Sequence, residues 1–501
     1  MKIITIFRIW RNGGFYSKIL AFAALLIAVP VVVAPFYKDE WLEAVYFILS
    51  AVIVLAASVL SAVLSKERGT EKIAGRQHPL QESALPVLFT WLAAIAAGAL
   101  PFILSGRLNV LHALFESVSG WTTTGLTHIP PESLPKIFLF HKAFMQYSGG
   151  LGFVILIGIA IGGRQMTGLY NAEGHPEGVM PNLRKTSRAI VLLYTSCLLI
   201  GSALYVLFGM PVFDAVCHAM SALSTAGSST HSESIGYYNS VPIELVSMFL
   251  MLIGSVNFAV LLLFIRGKFR RAAKVSELRF LFCVIAVFVP LSLFSLAVHG
   301  GYKFLTALRE AAFAVVSIVT STGYSLGDYA LWPAFVSGLL ILLMILGGGT
   351  GSTSGGIKLL RAYILVRVTK TNISKRRLPE QRVLVLRYNR PQGSAPIDEA
   401  LVHDTLEFIT VYIGVLFAGT LLLTHFEDVT LMDALFEFTS ALGTTGLSNG
   451  LTLRAGAGAL IVEMFGMLLG RLEIFTVFIG LYAALGKLRG LRRSKSPRSS
   501  V

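Results

Sequence analysis

The chain has 501 residues, of which 54% are hydrophobic and only 14% are Asp, Glu, Lys or Arg, against about 25% charged residues in a soluble protein. With a mean hydropathy of +0.72, these figures exclude a soluble enzyme, a disordered chain and a disulfide-built secreted domain. The net charge of +15 needs a separate explanation, because alone it could point to nucleic acid.

The first apolar run begins near Ile19, after Lys2, Arg8, Arg11 and Lys18. It is longer than a signal-peptide core and no A-x-A site follows it, so it reads as a retained transmembrane helix. Long apolar segments fall at 17–36, 43–65, 84–104, 137–162, 189–209, 241–265, 278–299, 332–366, 405–425 and 457–486. The pattern predicts ten full-length spans, each long enough to cross a bilayer. Stretches at 108–121, 212–224, 306–320 and 431–442 are too short to span and read as re-entrant or buried helices. Cys197, Cys217 and Cys283 all lie in apolar runs without metal-site spacing and read as small hydrophobic side chains.

The basic residues test this topology. With the N-terminus and every loop after an even-numbered span placed in the cytosol, 34 of the 42 basic residues fall on that side. Such one-sided placement is the positive-inside rule. It puts both termini in the cytosol, makes the charge mainly an orientation signal and argues against a nucleic-acid partner. The tail from Leu491 to Arg498 is basic enough to touch anionic lipid, and a plain solvated tail fits it equally well.

Four segments share one pattern. His112-Ala-Leu-Phe-Glu116 precedes Thr123-Thr-Gly-Leu-Thr127, and Asp214-Ala-Val-Cys-His218 precedes Thr225-Ala-Gly-Ser-Ser229. Glu310-Ala-Ala-Phe-Ala314 precedes Ser321-Thr-Gly-Tyr-Ser325, and Asp433-Ala-Leu-Phe-Glu437 precedes Thr444-Thr-Gly-Leu-Ser448. In each, the alanine stands twelve residues before the glycine. The expected fold is therefore an all-α polytopic membrane protein. It has four parallel helix–pore helix–filter loop–helix repeats in pseudo-fourfold symmetry, plus two N-terminal transmembrane helices. The expected divisions are 1–81 for the two leading helices, 82–184, 185–274, 275–399 and 400–487 for the repeats, and 488–501 for the basic tail. Descending-helix segments beginning at Met145, Met251, Met344 and Met467 also line up, ending on Gly149, Ser255, Gly348 and Arg471.

A [Ser/Thr]-x-Gly-x-[Ser/Thr] stretch after a short helix cannot pair all its carbonyls internally. At membrane depth it survives only buried in protein or lining a wet cavity. Four such loops around an axis can present a ring of oxygens that replaces an ion's hydration shell. Gly125, Gly227, Gly323 and Gly446 permit the torsions, including positive φ, that turn carbonyls inward. The hydroxyls of Thr123, Thr225, Ser321 and Thr444 add oxygen ligands without fixed charge, and Thr124, Ala226, Thr322 and Thr445 complete the loops. Short-helix C-termini aimed at the axis favour a cation. A divalent-ion site would want carboxylates, and the loops contain none. For any single loop, close helix packing explains glycine and threonine equally well; the constant offset in four favours the filter.

Below this expected filter, Gly347-Gly-Gly-Thr-Gly-Ser-Thr-Ser-Gly-Gly356 interrupts a span. Ten residues without a large side chain cannot hold a stable helix, since each glycine costs about 1 kcal/mol against alanine. It lacks the Gly-Lys-Ser/Thr ending of a phosphate loop, so a flexible intramembrane loop is expected, with an inert hinge as the plainer reading. Arg471 lies near the middle of the last span, where a charge is expensive and tends to be functional. Facing the pathway, it would repel a cation about 8 Å away by roughly 2 kcal/mol at an effective dielectric of 20. The alternative is a carboxylate partner at a helix interface. Gln146, Asn257 and Glu463 either line the cavity or satisfy one another between helices, the second being the plainer reading. Glu116, Glu310, His218 and Glu437 are expected to bond filter backbone or draw cations to the mouth, and Trp121 to pack behind the first loop.

With these residues assembled, the chain resembles the Trk/Ktr/HKT superfamily of potassium transporters, specifically its TrkH-type membrane subunits. The matching pieces are Ser119-Gly-Trp-Thr-Thr-Thr-Gly125, His218 to Gly227, Thr320-Ser-Thr-Gly-Tyr324, the Gly-rich run ending Gly-Gly-Ile-Lys358, and Gly470-Arg-Leu-Glu-Ile-Phe475. The resemblance covers almost the whole length. It implies that the four glycines select potassium, which is the transported ion, with no organic cofactor in this chain. It implies that 347–356, with Gly347, Gly348, Gly349, Gly351, Gly355 and Gly356, is a gating loop and that Arg471 is the positive barrier below the filter. It further implies a homodimer in the bacterial inner membrane, docked on a cytosolic nucleotide-binding ring of the TrkA type. One departure is Ser228, where the second loop often has a large apolar residue.

Two other classes fit less well. A sodium- or proton-coupled secondary transporter would want inverted repeats with midplane carboxylates, whereas these repeats are parallel. A membrane-embedded enzyme would want H-E-x-x-H, which does not occur, or G-x-S-x-G at a strand-to-helix turn; the matches to the latter, Gly323 to Gly327 and Gly446 to Gly450, fall in the repeated loops after short helices.

Overall fold

The computed structural model describes residues 14–67, 79–152, 183–376 and 386–494. Helices α1 (Phe15–Ala28, prolonged by a 3-10 stretch Val29–Phe36) and α2 (Trp41–Glu67) form a leading hairpin. It is closed by a mutual clasp in which Ser17 Oγ donates to the Ser58 carbonyl at 2.9 Å and Ser58 Oγ to that of Ser17 at 2.6 Å. Buried hydroxyls in apolar surroundings need such partners.

The four repeats then follow one plan. The first has α3 (Pro79–Leu104), the short α4 (Val110–Trp121) and α5 (Lys136–Leu151); the second has α6 (Leu183–Leu207), α7 (Val212–Leu223), α8 (Val241–Ser255) and α9 (Phe258–Ile265). After α10 (Phe269–Ala272), the third has α11 (Ser276–Val298), α12 (Phe304–Val319), α13 (Ala334–Leu346) and α14 (Leu359–Lys375). The fourth has α15 (Glu399–Phe426), α16 (Leu431–Leu442), α17 (Leu451–Arg454), α18 (Ala457–Arg471) and α19 (Ile474–Ser494). Each short helix packs inside its own repeat and against the descending helix of the preceding one: α7 on α5, α12 on α8, α16 on α13, and α4 on α18. The last contact closes the circle.

Three expectations change. Among the described residues six helices are long and apolar enough to cross a membrane, with two bent pairs making at most eight, rather than ten unbroken spans. The expected spans 241–265 and 457–486 bend by 110° and 108°, and 332–366 is two helices separated by the loop 347–358. Within 137–162, α5 ends at Leu151 and the remainder from 153 lies outside the described residues. Average hydropathy does not register such breaks, because both halves remain apolar. Among the described residues the strands are confined to one antiparallel hairpin, Arg387–Arg390 with Gly393–Pro396, between α14 and α15.

The descending helices also correct one alignment. A side-chain carbon on Gly149, Gly254 or Gly470 would stand 2.0, 2.3 or 2.0 Å from the carbonyl of Trp121, Leu223 or Leu442. Each of those carbonyls precedes its loop glycine by four residues. Gly150, not Gly149, is therefore the counterpart of Arg471, one position from the methionine-based alignment.

Candidate ion pathway

Each short helix ends in the same cap. The amide of Thr124 donates to the Ser119 carbonyl at 3.0 Å, Ala226 to Ser221 at 3.0 Å, Thr322 to Ser317 at 2.8 Å and Thr445 to Ser440 at 2.9 Å. This closure requires a left-handed residue before the donor, a place usually held by glycine. Here it is held by Thr123, Thr225, Ser321 and Thr444, with φ of 55°, 51°, 56° and 48°. The conformation costs an L-residue about 1–2 kcal/mol, and the same strain at four equivalent, buried places marks a functional site.

The loop glycines explain themselves by a cyclic contact. A side-chain carbon on Gly125 would stand 1.9 Å from the Ala226 carbonyl oxygen, on Gly227 1.9 Å from that of Thr322, on Gly323 1.8 Å from that of Thr445, and on Gly446 2.0 Å from that of Thr124. All four φ values are positive, from 69° to 89°. Each loop thus abuts the next in chain order and the fourth returns to the first. The four expected filter segments form one ring lined by uncharged residues.

On one side of the ring lies a cavity of about 630 Å³, reached by all four glycines and bordered by Ser228, Ser325 and Ser448. Behind the loops, Glu116 and Glu437 hold the backbone that trails the filter segments rather than the segments themselves: Glu116 accepts from the His128 amide at 2.8 Å, and Glu437 from those of Asn449 and Thr452 at 3.0 Å each. His218 instead bonds Ser229 Oγ at 2.9 Å. Glu310 does not belong to this set, because the equivalent residue of the third repeat is Ala314. Ser228 is held by Gln146 Nε2 at 2.5 Å, so Gln146 serves the ring rather than another intramembrane polar residue. Trp121 is buried behind the first loop, as expected.

On the opposite side the Gly-rich loop presses on the ring. Thr353 Oγ1 is 2.9 Å from Thr225 Oγ1 and 2.9 Å from the Gly254 carbonyl, and Thr123 Oγ1 is 3.5 Å from the Thr353 carbonyl. Gly355 lies against Thr444 Oγ1 and the Gly443 carbonyl, where no side chain fits. Gly347, Gly351 and Gly356 adopt positive φ, while Gly348 and Gly349 crowd Ser354 and Ser255. The loop is anchored at Thr350: Asn257 Nδ2 donates to the Thr350 carbonyl and the Thr350 amide to Glu277 Oε1, both at 2.6 Å. Neither anchor was singled out for this role from sequence, although Asn257 follows the small-residue end of its descending helix.

Arg471 donates to the carbonyls of Thr353, Gly149 and Gly150, the latter two at 2.5 and 3.2 Å. It therefore joins the fourth repeat to the Gly-rich loop and to the first repeat. Glu473 pairs elsewhere, with Arg361 at 2.7 Å. The stretch from filter to arginine spans every segment that carried the family resemblance.

A family model described as TrkH, cation transport protein, matches residues 50–485. The chain belongs to the TrkH family. It is 30% identical to the Trk system potassium uptake protein TrkG of Escherichia coli K12, over 90% of this chain and 93% of that protein. It is 31% identical to the Trk system potassium uptake protein TrkH of Salmonella typhimurium, over 80% of this chain and 84% of that one. The crystal structure of the potassium transporter TrkH from Vibrio parahaemolyticus superimposes with a TM-score of 0.78 at 27% identity, covering 93% of this chain and 98% of that one. As a TrkH-family chain with several membrane-length helices, it is a multi-pass membrane protein.

Proposed function

We propose that this chain is the potassium-conducting membrane subunit of a Trk uptake system. Potassium is stripped of water by the ring made of Thr123 to Gly125, Thr225 to Gly227, Ser321 to Gly323 and Thr444 to Gly446. The observation that carries this reading is the closed cycle of glycine–carbonyl contacts, in which the four loops abut one another in a ring. Neutral ligands suit a monovalent cation that must also leave. The buried hydroxyls of Ser321 and Thr444 make no hydrogen bond within the protein and supply further oxygens. The Gly-rich loop 347–356 and Arg471 form the gate beneath.

In this reading the repeats divide as 82–184, 185–274, 275–399 and 400–487, behind two leading helices in 1–81. The one-sided basic residues support cytosolic termini in a bacterial inner membrane. The system named for its relatives supports a membrane subunit that works with partners, and in this reading the chain is a homodimer docked on a TrkA-like cytosolic nucleotide-binding ring.

The test is ion flux in liposomes containing the purified chain, with potassium or sodium as the driving ion. Potassium flux well above sodium flux is expected. Equal flux of both overturns the selective filter, and absence of flux with the cytosolic ring supplied overturns the conduction reading.

A further inference from the structure

Behind each loop, the residue nine before the glycine and the residue seventeen after it sit on the short and descending helices. In the first repeat these are Glu116 and Lys142, an ion pair at 2.7 Å. In the fourth they are Glu437 and Glu463, both fully buried. The lysine that neutralises the first carboxylate is replaced by a second carboxylate.

The hydrogens can be counted. Glu437 accepts from Ser448 Oγ at 2.6 Å, from the amides of Asn449 and Thr452 at 3.0 Å, and from Thr452 Oγ1 at 2.5 Å. That is the donor set of an ionised carboxylate. Thr452 Oγ1 also lies 3.1 Å from Glu463 Oε2, yet a hydroxyl has one hydrogen, already committed to Glu437. The contact with Glu463 is a hydrogen bond only if Glu463 brings its own proton. Glu463 Oε1 is buried with no hydrogen-bond partner, an arrangement far costlier for an ionised oxygen than for a neutral one.

We propose that Glu463 is a resident proton-binding site: its carboxylic acid donates through Oε2 to Thr452 Oγ1 while Glu437 stays ionised. The proton fastens α18 to the segment trailing the fourth loop. Through His128 Nδ1, 2.9 Å from the Thr452 carbonyl, it also steadies the first loop's trailing segment. Releasing it leaves two carboxylates competing for one hydroxyl.

The surrounding titratable groups do not supply a compensating cation. The turn before α16 brings Glu427, which bonds the Gly456 amide. Helix α4 brings His112, whose ring is tilted by 45° against that of His128 with centroids 4.2 Å apart, and Glu116, already paired with Lys142. Helix α15, which also packs on α18, carries its charged residues at its ends, from Glu399 to Glu407 and at His425. Because the folded chain holds a proton that an unfolded glutamate lacks at neutral pH, stability declines as pH rises through the titration of this site.

The direct test is infrared spectroscopy of the full-length protein in liposomes, titrated with pH, following the protonated-carboxyl carbonyl band. The wild type is expected to show a band at neutral pH that Glu463→Gln loses and Glu427→Gln keeps. In Glu437→Gln, which removes the neighbouring charge, the band should titrate at lower pH. Thermal unfolding should fall with rising pH in the wild type and lose that dependence in Glu463→Gln. Absence of the band, its survival in Glu463→Gln, or its removal by sodium at constant pH overturns the proposal, the last by assigning a cation instead. None of these readouts depends on potassium transport, so the proposal stands or falls apart from the proposed function.

Discussion

The guanidinium of Arg471 donates to the main-chain carbonyl of Thr353, joining a descending helix of the fourth repeat to a loop of the third at the underside of the ring. In the proposed pathway the arginine acts twice, as a positive charge below the filter and as a latch on the loop that covers it. Replacement by alanine removes both. Lifting a repulsion of about 2 kcal/mol raises potassium flux about tenfold or more, since 1.4 kcal/mol is a factor of ten. Arg471→Lys keeps the charge but loses the forked donor, and a smaller rise is expected. Unchanged liposome flux in both variants would remove Arg471 from the gate.

Gly125 has no room for a side chain, with the Ala226 carbonyl 1.9 Å from where its first carbon would stand and a φ of 89°. Gly125→Ser must therefore displace the neighbouring loop. Its potassium-to-sodium flux ratio should fall, and alanine at Gly227, Gly323 or Gly446 should act in the same direction. A preserved ratio in all four variants would sink the filter assignment.

Thr353→Val tests the loop without touching the ring's backbone. It is nearly isosteric but removes the hydroxyl that meets Thr225 Oγ1 and the Gly254 carbonyl. Each such bond contributes about 1 kcal/mol. Flux should rise severalfold while the potassium-to-sodium ratio stays at the wild-type value. A changed ratio would mean that gate and filter are one element.

The Glu116–Lys142 pair is buried, with side-chain exposures of 0% and 8%. Lys142→Met strands an unpaired carboxylate, which costs about 3–5 kcal/mol. The thermal midpoint in detergent should drop, and Glu116→Gln combined with Lys142→Met should recover most of it. No recovery in the double variant would show that Lys142 matters through packing alone.

The ring was legible in the sequence because its requirements fall on small residues at fixed offsets: a glycine where a neighbour's carbonyl arrives, and a hydroxyl residue two positions earlier. Arg471 was legible because a charge in an apolar run stands out. The bends after Ser255 and Arg471 were not, because a helix can break between Ser255 and Asn257, or at Glu473 with φ of 62°, without any loss of hydropathy. Lys142 also escaped notice, since its partner lies 26 residues away in sequence and nothing local distinguishes a buried lysine from one at a membrane surface. Ala314 shows the limit of reading repeats by resemblance: the acidic residue nearest the motif, Glu310, is one helical turn too early.

Joining the four quarters in one polypeptide has a consequence for what the pore can do. An assembly of identical subunits would have to place four arginines beneath its ring or none, and four glycine-rich flaps or none. This chain holds one arginine and one flap on adjacent quarters, Arg471 on the fourth and 347–356 on the third. Covalent linkage frees each quarter to diverge while the glycine–carbonyl circle keeps all of them in register. In the proposed reading the gate is therefore lopsided although the ring is not, with one arginine and one flap serving a passage shared by four.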